Sequence, residues 1–161
     1  MILDVGCGAL AEGDVNLDAF PYDVSQGAGK YWKPKEIKNF VLGDVHYLPF
    51  KDNSFSLIIA RHVLEHVTNP ILAIQEWHRV TSNRVIIVVP SQYVNDLSEA
   101  HLFAWNKITL KNLLLKVFSR VEVNYTRDIY YKIEHSVPFV IVNWLSKIGG
   151  FYTKILAVCY K

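Results

Sequence analysis

MILDVGCGALAEGDVNLD, residues 1–18, is the stretch that decides the fold. Residues 1–5 form a short apolar run of strand type, Gly6, Cys7 and Gly8 make a tight glycine turn, and residues 15–18 are a second short run that closes on an acid. A strand, a glycine turn and an acid at the end of the next strand are how an open parallel α/β sheet builds a nucleotide site at the carboxyl ends of its strands. Glycine is required there because a side chain would block both the backbone angles of the turn and the close approach of a ligand. Asp18, closing the second strand, can accept from both hydroxyls of a ribose.

The spacing narrows the ligand. A dinucleotide site wants G-x-G-x-x-G opening a full helix, with the acid about 20 residues further on. Here Glu12, Gly13 and Asp14 follow at once and Asp18 lies much closer. Almost no room is left for the helix whose N-terminus would hold a pyrophosphate, which disfavours NAD and FAD. A ligand with a ribose and no phosphate, such as S-adenosylmethionine, fits better; the plainer alternative is a strand-ending turn with no ligand at all.

Composition bounds the rest. The chain has 161 residues, enough for one domain over 1–161 with a real core. It is 51% hydrophobic and 20% charged, which argues for a globular fold and against disorder. The net charge of +2 by itself neither predicts nor excludes nucleic acid. The lysines and arginines are scattered and make no basic stripe, and with the missing motif noted below no nucleic-acid partner is expected. With only Cys7 and Cys159, and Cys7 inside the glycine turn, a disulfide framework is not expected and a reducing cytoplasm is the default. Cys7 is expected to fill the turn as a small residue rather than to act as a reactive thiol. Asp4 and the glycines interrupt what a signal peptide would need, and the apolar run 137–145 is far short of the roughly 20 residues of a spanning helix, so no membrane span is expected.

Along the chain, residues 19–38 are a long connection rich in Gly, Pro, Tyr and Lys, in which Tyr31 and Trp32 either cover a ligand or pack on the sheet. Residues 39–42 are a short strand closed by Gly43 and Asp44, which puts Asp44 on the same rim as Gly6 and Asp18, where its carboxylate can accept from an adenine amino group. SFSLIIA, 54–60, is a buried strand. Asn69 caps a helix with Pro70 in its first turn and apolar spacing through Val80. Residues 84–89 are another buried strand, and 91–105 are a polar, aromatic connection on the substrate side. Thr109 is expected to cap a second amphipathic helix. A strand follows at 121–125, then an unassigned segment with a helix around 137–148, and a final strand at 152–159. Strands alternating with helices make a doubly wound sheet of about seven strands.

With Asp44 and the segment after it in place, the chain resembles the class I S-adenosylmethionine-dependent methyltransferases of small-molecule type. The matching segments are ILDVGCG, VNLD, GDVHYLPFKDNSFSLIIARHVLEHVTNP, EWHRV and HLFAWNKITLKNLLLKVF, which cover most of residues 1–125. The resemblance implies an α/β, Rossmann-like doubly wound seven-stranded sheet, mostly parallel with an antiparallel last strand, and S-adenosylmethionine as cofactor. It implies that Gly6 and Gly8 pass under the methionine part and ribose, that Asp18 holds the ribose hydroxyls and that Asp44 faces the adenine edge. Val45 and Arg61 flank the cofactor, Asp4 and Cys7 belong to the same lining, His66 lies close to the methyl-transfer side, and Phe50 packs the core. The chain resembles in particular a subgroup with a short link before an N-x-D strand. Leu10 stands where the family has a third glycine, Ser56 where an Asp is common, and the helix between the first two strands is nearly absent. Family members also carry helices before the first strand that roof the substrate; with the chain starting at that strand, the pocket is expected to be open or closed by another subunit, a homodimer mate or a partner.

Methyl transfer from a sulfonium is an in-line displacement whose catalysis comes largely from positioning. A general base is needed only where the acceptor must lose a proton, and His62, His66 and His101 are the candidates by placement, with Glu65 as a loop anchor. His46, His78 and His135 are expected to be solvated or packed. No metal site is expected: His62 and His66 at i, i+4 resemble a ligand pair, but the sequence places no third ligand beside them. The aromatics of 93–105 and 130–144 suit a hydrophobic small-molecule acceptor or a dimer interface. A catalytically silent methyltransferase-like subunit that binds a partner protein is the alternative. Nucleic-acid methylation lacks its N/D-P-P-[YFW] motif after the fourth strand, where this chain has Arg61, His62, Val63 and Leu64.

Overall fold

A computed structural model describes residues 1–20, 36–92, 100–126 and 154–161. Tyr31 and Trp32, His135, the aromatics at 93–99 and 130–144, the run 137–145 and the helix expected around 137–148 lie outside the described residues. Among the described residues, seven strands form a single sheet: β1 (Ile2–Val5), β2 (Val15–Asp18), β3 (Phe40–Leu42), β4 (Phe55–Arg61), β5 (Thr81–Pro90), β6 (Arg120–Thr126) and β7 (Lys154–Tyr160). Their order is β3-β2-β1-β4-β5-β7-β6. All neighbours from β3 to β5 pair in parallel, and β7 runs antiparallel between β5 and β6. The doubly wound, mostly parallel sheet with an antiparallel last strand is therefore present as the sequence implied.

The central strands are apolar runs because both of their faces are covered. Leu3 and Val5 of β1, Ile58 and Ala60 of β4, and Val85, Ile87 and Val89 of β5 are all but fully buried. Helix α1 (Pro70–Val80) packs on β5 through Ala73, Ile74, Trp77 and Val80, and α2 (Lys107–Leu114) packs against β6 and β7 through Leu110 and Leu114. The α1 start is as expected, with the Asn69 side chain accepting from the Leu72 N–H and Pro70 at the first position, where its missing N–H costs nothing. Phe50 packs edge-on against Phe55, with ring centroids 5.0 Å apart.

Two boundaries move by three residues from the sequence reading, and others by less. Strand β5 begins at Thr81, directly at the end of α1 and ahead of the expected residue 84. The Thr81 hydroxyl donates to the Phe55 and Arg84 carbonyls at 3.3 and 3.2 Å and so fixes the extended chain at once. Helix α2 is capped by Asn106 rather than Thr109. The Asn106 carboxamide oxygen accepts from the N–H groups of Ile108 and Thr109, and the Thr109 hydroxyl accepts in return from the Asn106 N–H, a reciprocal capping box.

Two of the segments that carry the family resemblance lock together. Arg79, from EWHRV, donates to the Phe50 and Leu48 carbonyls and to Asp52 at 2.7 Å, and pairs with Glu76, whose other role is to accept from the Leu48 N–H. The hydrogen bonds from Arg79 outweigh burial and hold the Glu76 carboxyl below its usual range. Helix α1 thereby fixes the Leu48–Pro49–Phe50 loop, and with it the exit of β3. Among the described residues no helix is long and apolar enough to cross a membrane.

Candidate functional site

The parallel pairing of β3, β2, β1 and β4 brings their carboxyl ends to one rim, and every residue singled out around the glycine turn stands there. The link from β1 to β2 contains no helix. Its turn is built on Gly6 and Gly8, with φ of +64° and +52°, a region that side-chain-bearing residues enter at a cost. The Gly6 and Cys7 N–H groups both donate to the Leu17 carbonyl, at 2.8 and 3.1 Å, which folds the turn back over the end of β2. A Cβ on Gly6 would lie 2.3 Å from Cγ2 of Val63, whereas a Cβ on Gly8 would meet nothing within 4 Å among the described residues. Gly6 is thus glycine for packing, and Gly8 looks into open space.

Asp18 ends β2, half-buried. Its Oδ2 accepts from the Gly8 N–H at 2.9 Å and its Oδ1 from the Phe20 N–H at 3.1 Å, so the carboxylate is oriented by backbone while each oxygen keeps a further lone pair. Asp44 follows β3 with 56% of its side chain exposed. Its Oδ1 accepts from both the N–H and the Nδ1–H of His46, at 2.8 and 2.6 Å. Partial burial would raise this carboxyl, but the two His46 hydrogen bonds prevail and hold it below its usual range. The His46 ring is oriented in turn, since its Nε2 accepts from the Asn69 N–H at 3.4 Å. Val45, beside Asp44, is buried.

Asp4 and Arg61 are brought together as an ion pair. Asp4 is fully buried, and its Oδ2 accepts from Arg61 at 2.8 Å and from the Glu12 N–H at 3.0 Å. Arg61 also donates to the Leu10 carbonyl at 2.8 Å and pairs with the Glu12 carboxylate at 2.9 Å. Burial pushes the Asp4 carboxyl up to about 6 against the opposing Arg61 charge, and its Oδ1 has no hydrogen-bond partner among the described residues. Together Asp4 and Arg61 clamp the 10–12 link that replaces the usual helix. Cys7 and Cys159 are buried free thiols. Burial, with the Asp18 and Asp4 carboxylates adding to it, pushes the Cys7 thiol up to about 12, which suits a filler and not a nucleophile.

The histidines gather on the next stretch of the rim. His62 directly follows β4 in the left-handed region, φ +54°, with its N–H donating to the Val88 carbonyl at 2.8 Å. Its Nδ1–H donates to Oε1 of the fully buried Glu65 at 3.2 Å. The Nδ1–H of His66 donates to the Ala100 carbonyl at 3.0 Å, and its ring meets that of His101 edge-on at 4.6 Å. The Glu65 carbonyl accepts from the Leu102 and Phe103 N–H groups, which draws the 100–103 segment across the site. His62, His66 and His101 therefore do share one neighbourhood, whereas His78 packs on Phe118 away from it.

Sequence reasoning missed Glu12, His46 and the burial of Glu65. The Asp4–Arg61 pair has a signal only once the strand register is known. Asp4 is in register with Ile59 in the parallel β1–β4 ladder, so Arg61, two residues on, projects from the same face. Placing His101 against His66 had no such signal, because residues 91–105 have no period to extrapolate.

Comparison with known proteins gives a family. A model of the methyltransferase domain matches residues 3–89, more than half of the chain. An uncharacterized protein of Methanocaldococcus jannaschii is 32% identical over 135 residues, covering 81% of this chain and 59% of its own length. A demethylmenaquinone methyltransferase of Renibacterium salmoninarum is 38% identical over 85 residues, 50% of this chain and 36% of that protein. The chain thus spans less than two thirds of either relative. The crystal structure of a SAM-dependent methyltransferase from Archaeoglobus fulgidus superimposes with a TM-score of 0.66 over 99% of this chain and 85% of that one; at 16% identity this is a likeness of fold. With the match running from the strand that opens the glycine turn through to β5, the chain belongs to the methyltransferase domain family, whose cofactor is S-adenosylmethionine.

Proposed function

We propose that the protein transfers the methyl group of S-adenosylmethionine to a small molecule, and that the cofactor lies along the carboxyl ends of β1, β2 and β3. One observation carries this reading: three adjacent strand ends carry, in order, an open glycine position at Gly8, an oriented carboxylate at Asp18 and an exposed carboxylate at Asp44. In this reading Gly8 lets the methionine part and ribose approach the backbone, and Asp18 accepts from the two ribose hydroxyls with the lone pairs its backbone donors leave over. Asp44 accepts from the adenine amino group through Oδ2, since His46 takes Oδ1, and Val45 supplies apolar contact to the ring. Asp4 and Arg61 act on the cofactor through the link they hold, and Cys7 fills the floor of the turn.

Bound there, the cofactor supplies an electrophilic methyl group, and the chain's part is alignment, which can supply much of the rate. Where the acceptor must lose a proton, His66 and His101 are the groups placed to take it, with His62 anchored on Glu65 behind them. Leu10, Phe20, Leu42 and Tyr47, each more than 60% exposed, follow or end the same three strands. That apolar rim suits a hydrophobic acceptor, or a second subunit that closes over it. The relative named for demethylmenaquinone methylation supports the first.

Isothermal titration with S-adenosylmethionine and S-adenosylhomocysteine tests the reading, with Asp18→Ala and Asp44→Ala alongside. Binding by the native chain that both variants lose is the expected result. A folded native chain that binds neither compound would overturn it and turn the search to protein partners.

A further inference from the structure

Glu65, His66 and His101 each offer a ligand atom, and these atoms all lie within 4.8 Å of one another. We infer that the three form a binding site for one borderline divalent cation of the Zn2+ or Co2+ kind. The donor set is two imidazoles and a carboxylate, which suits such ions and leaves a fourth position for water or a ligand oxygen. It differs from the oxygen-only sets preferred by Mg2+ and Ca2+.

Three further features of the cluster fit this use. Glu65 is fully buried, and its Oε2 has no hydrogen-bond partner among the described residues. A buried carboxylate oxygen left in that state costs energy unless a cation or a donor meets it. The other oxygen, Oε1, accepts from His62, which fixes the carboxylate's rotation. His66 donates its Nδ1–H to the Ala100 carbonyl, which orients the ring and makes Nε2 its ligating nitrogen. A metal-ligating histidine oriented by a backbone carbonyl, beside a carboxylate oriented by its own donor, is the outer arrangement that metal sites use.

The required movement is small. Tetrahedral ligands about 2.1 Å from an ion stand about 3.4 Å apart, so the three atoms must close by at most about 1.4 Å. Glu65 is buried and His66 and His101 are half-buried, so the closure falls to the two imidazole rings. Glu65 stands two residues after Val63, whose side chain faces Gly6. The inference stands on these side chains alone; with the ion bound, His66 and His101 serve as ligands and no longer as the base for an acceptor's proton.

Co2+ titration of the whole metal-free chain, followed by visible absorption, tests it, with equilibrium dialysis against Zn2+ for stoichiometry. The expected result is one ion per chain, with the intense visible bands of low-coordinate Co2+ displaced by Zn2+. His66→Ala and His101→Ala should each weaken binding by more than about 100-fold, beyond the loss typical of an orienting partner. Glu65→Gln, which keeps the volume and the acceptor for His62, should weaken it as well, and His78→Ala should leave it unchanged. Far-UV circular dichroism and S-adenosylmethionine titration of the same samples separate loss of the metal site from loss of the fold or of the cofactor site. A folded native chain that takes up neither ion would overturn the proposal, as would uptake unchanged in His66→Ala and His101→Ala. Either result would make the cluster a purely hydrogen-bonded group.

Discussion

Among the described residues, the connections on the β3-β2-β1 side of the sheet are tied by polar side chains, whereas those on the β4-β5-β7-β6 side are held mainly by apolar packing. In the first half, Asp14 accepts from the Ile2 N–H at 2.8 Å, Asp18 from the Gly8 N–H and Asp4 from the Glu12 N–H. Asn16 holds the Gly13 N–H and carbonyl and the Lys38 carbonyl, and Asn39 reaches the Asp14 carbonyl. In the second half, Ile74, Trp77 and Val80 seat α1 on β5, and Leu110, Leu114 and Phe118 seat α2 and the turn after it against β6 and β7. A helix needs length to bury an apolar face, and the link over residues 6–14 has none to give. Its backbone groups therefore find carboxylate and amide partners, and a short polar link leaves the strand ends open to a ligand. The half proposed to hold the cofactor is the half that is tied, and the half that is packed gives it a rigid edge.

The sharpest way to break that contrast is in the packed half. Trp77 is fully buried beneath α1. Trp77→Ala should lower the unfolding free energy by about 3–5 kcal/mol, the usual cost of emptying an aromatic site, as read from urea denaturation. A loss below about 1 kcal/mol would mean that α1 is held by the Arg79 network and not by its apolar face.

The next test belongs to the tied half and depends on pH. The Asp4 carboxyl titrates at about 6 in the fold against 3.8 for the free group, because burial disfavours its charge more than Arg61 favours it. The folded state therefore holds this proton more tightly than the unfolded one, so stability is full below about pH 4 and falls as the pH rises towards 6. The whole shift is worth about 3 kcal/mol by pH 7. Asp4→Asn removes the titration, so the variant should gain about that much relative to the native chain between pH 4 and pH 7, on top of a constant offset for the lost ion pair. Parallel stability profiles for the two proteins would show that Arg61 fully compensates the buried charge.

These two residues also mark how far the sequence could be read. Trp77 sits on a helical period that begins at Asn69 and Pro70, and the apolar runs of β4 and β5 signal burial by composition alone, so the packed half was legible element by element. In the tied half the glycine turn, Asp18 and Asp44 were legible as a motif. Their partners were not: Arg61 meets Asp4 only through the parallel register of β1 and β4. His46 takes Asp44 through a local turn with no strong signature, and His101 reaches His66 only because the Glu65 carbonyl captures the Leu102 and Phe103 N–H groups. Apolar burial is periodic and so visible in one dimension, whereas a hydrogen bond between distant residues depends on a register that one chain does not spell out. The Asn106 cap illustrates the same limit, since Asn106 and Thr109 both suit the role and only the reciprocal geometry decides between them.

Asn16 is a smaller test of whether single polar ties matter one by one. It is 2% exposed and serves three backbone groups at 2.8, 2.8 and 3.1 Å. Asn16→Ala leaves those groups without their partner and should cost about 1–3 kcal/mol in urea denaturation. If the cost stays near zero, water replaces the carboxamide and the link is held by Asp4, Asp14 and Asp18 alone.

The smallest expected effect on stability carries the largest expected effect on binding. Gly8→Ala adds a Cβ where no atom of the described residues stands within 4 Å, so its cost there is the left-handed backbone at φ +52°, about 1–2 kcal/mol. Gly6→Ala pays the same strain and also drives Cβ to 2.3 Å from Val63, a clash that Val63→Ala should relieve in part. If the open space beside Gly8 is where the cofactor runs, Gly8→Ala abolishes S-adenosylmethionine binding in titration while the chain stays folded, a separation that Trp77→Ala cannot produce. Binding retained in Gly8→Ala would move the cofactor away from the turn, onto Asp18 and Asp44 alone, and the tied half would then be short and polar for reasons of folding rather than of ligand access.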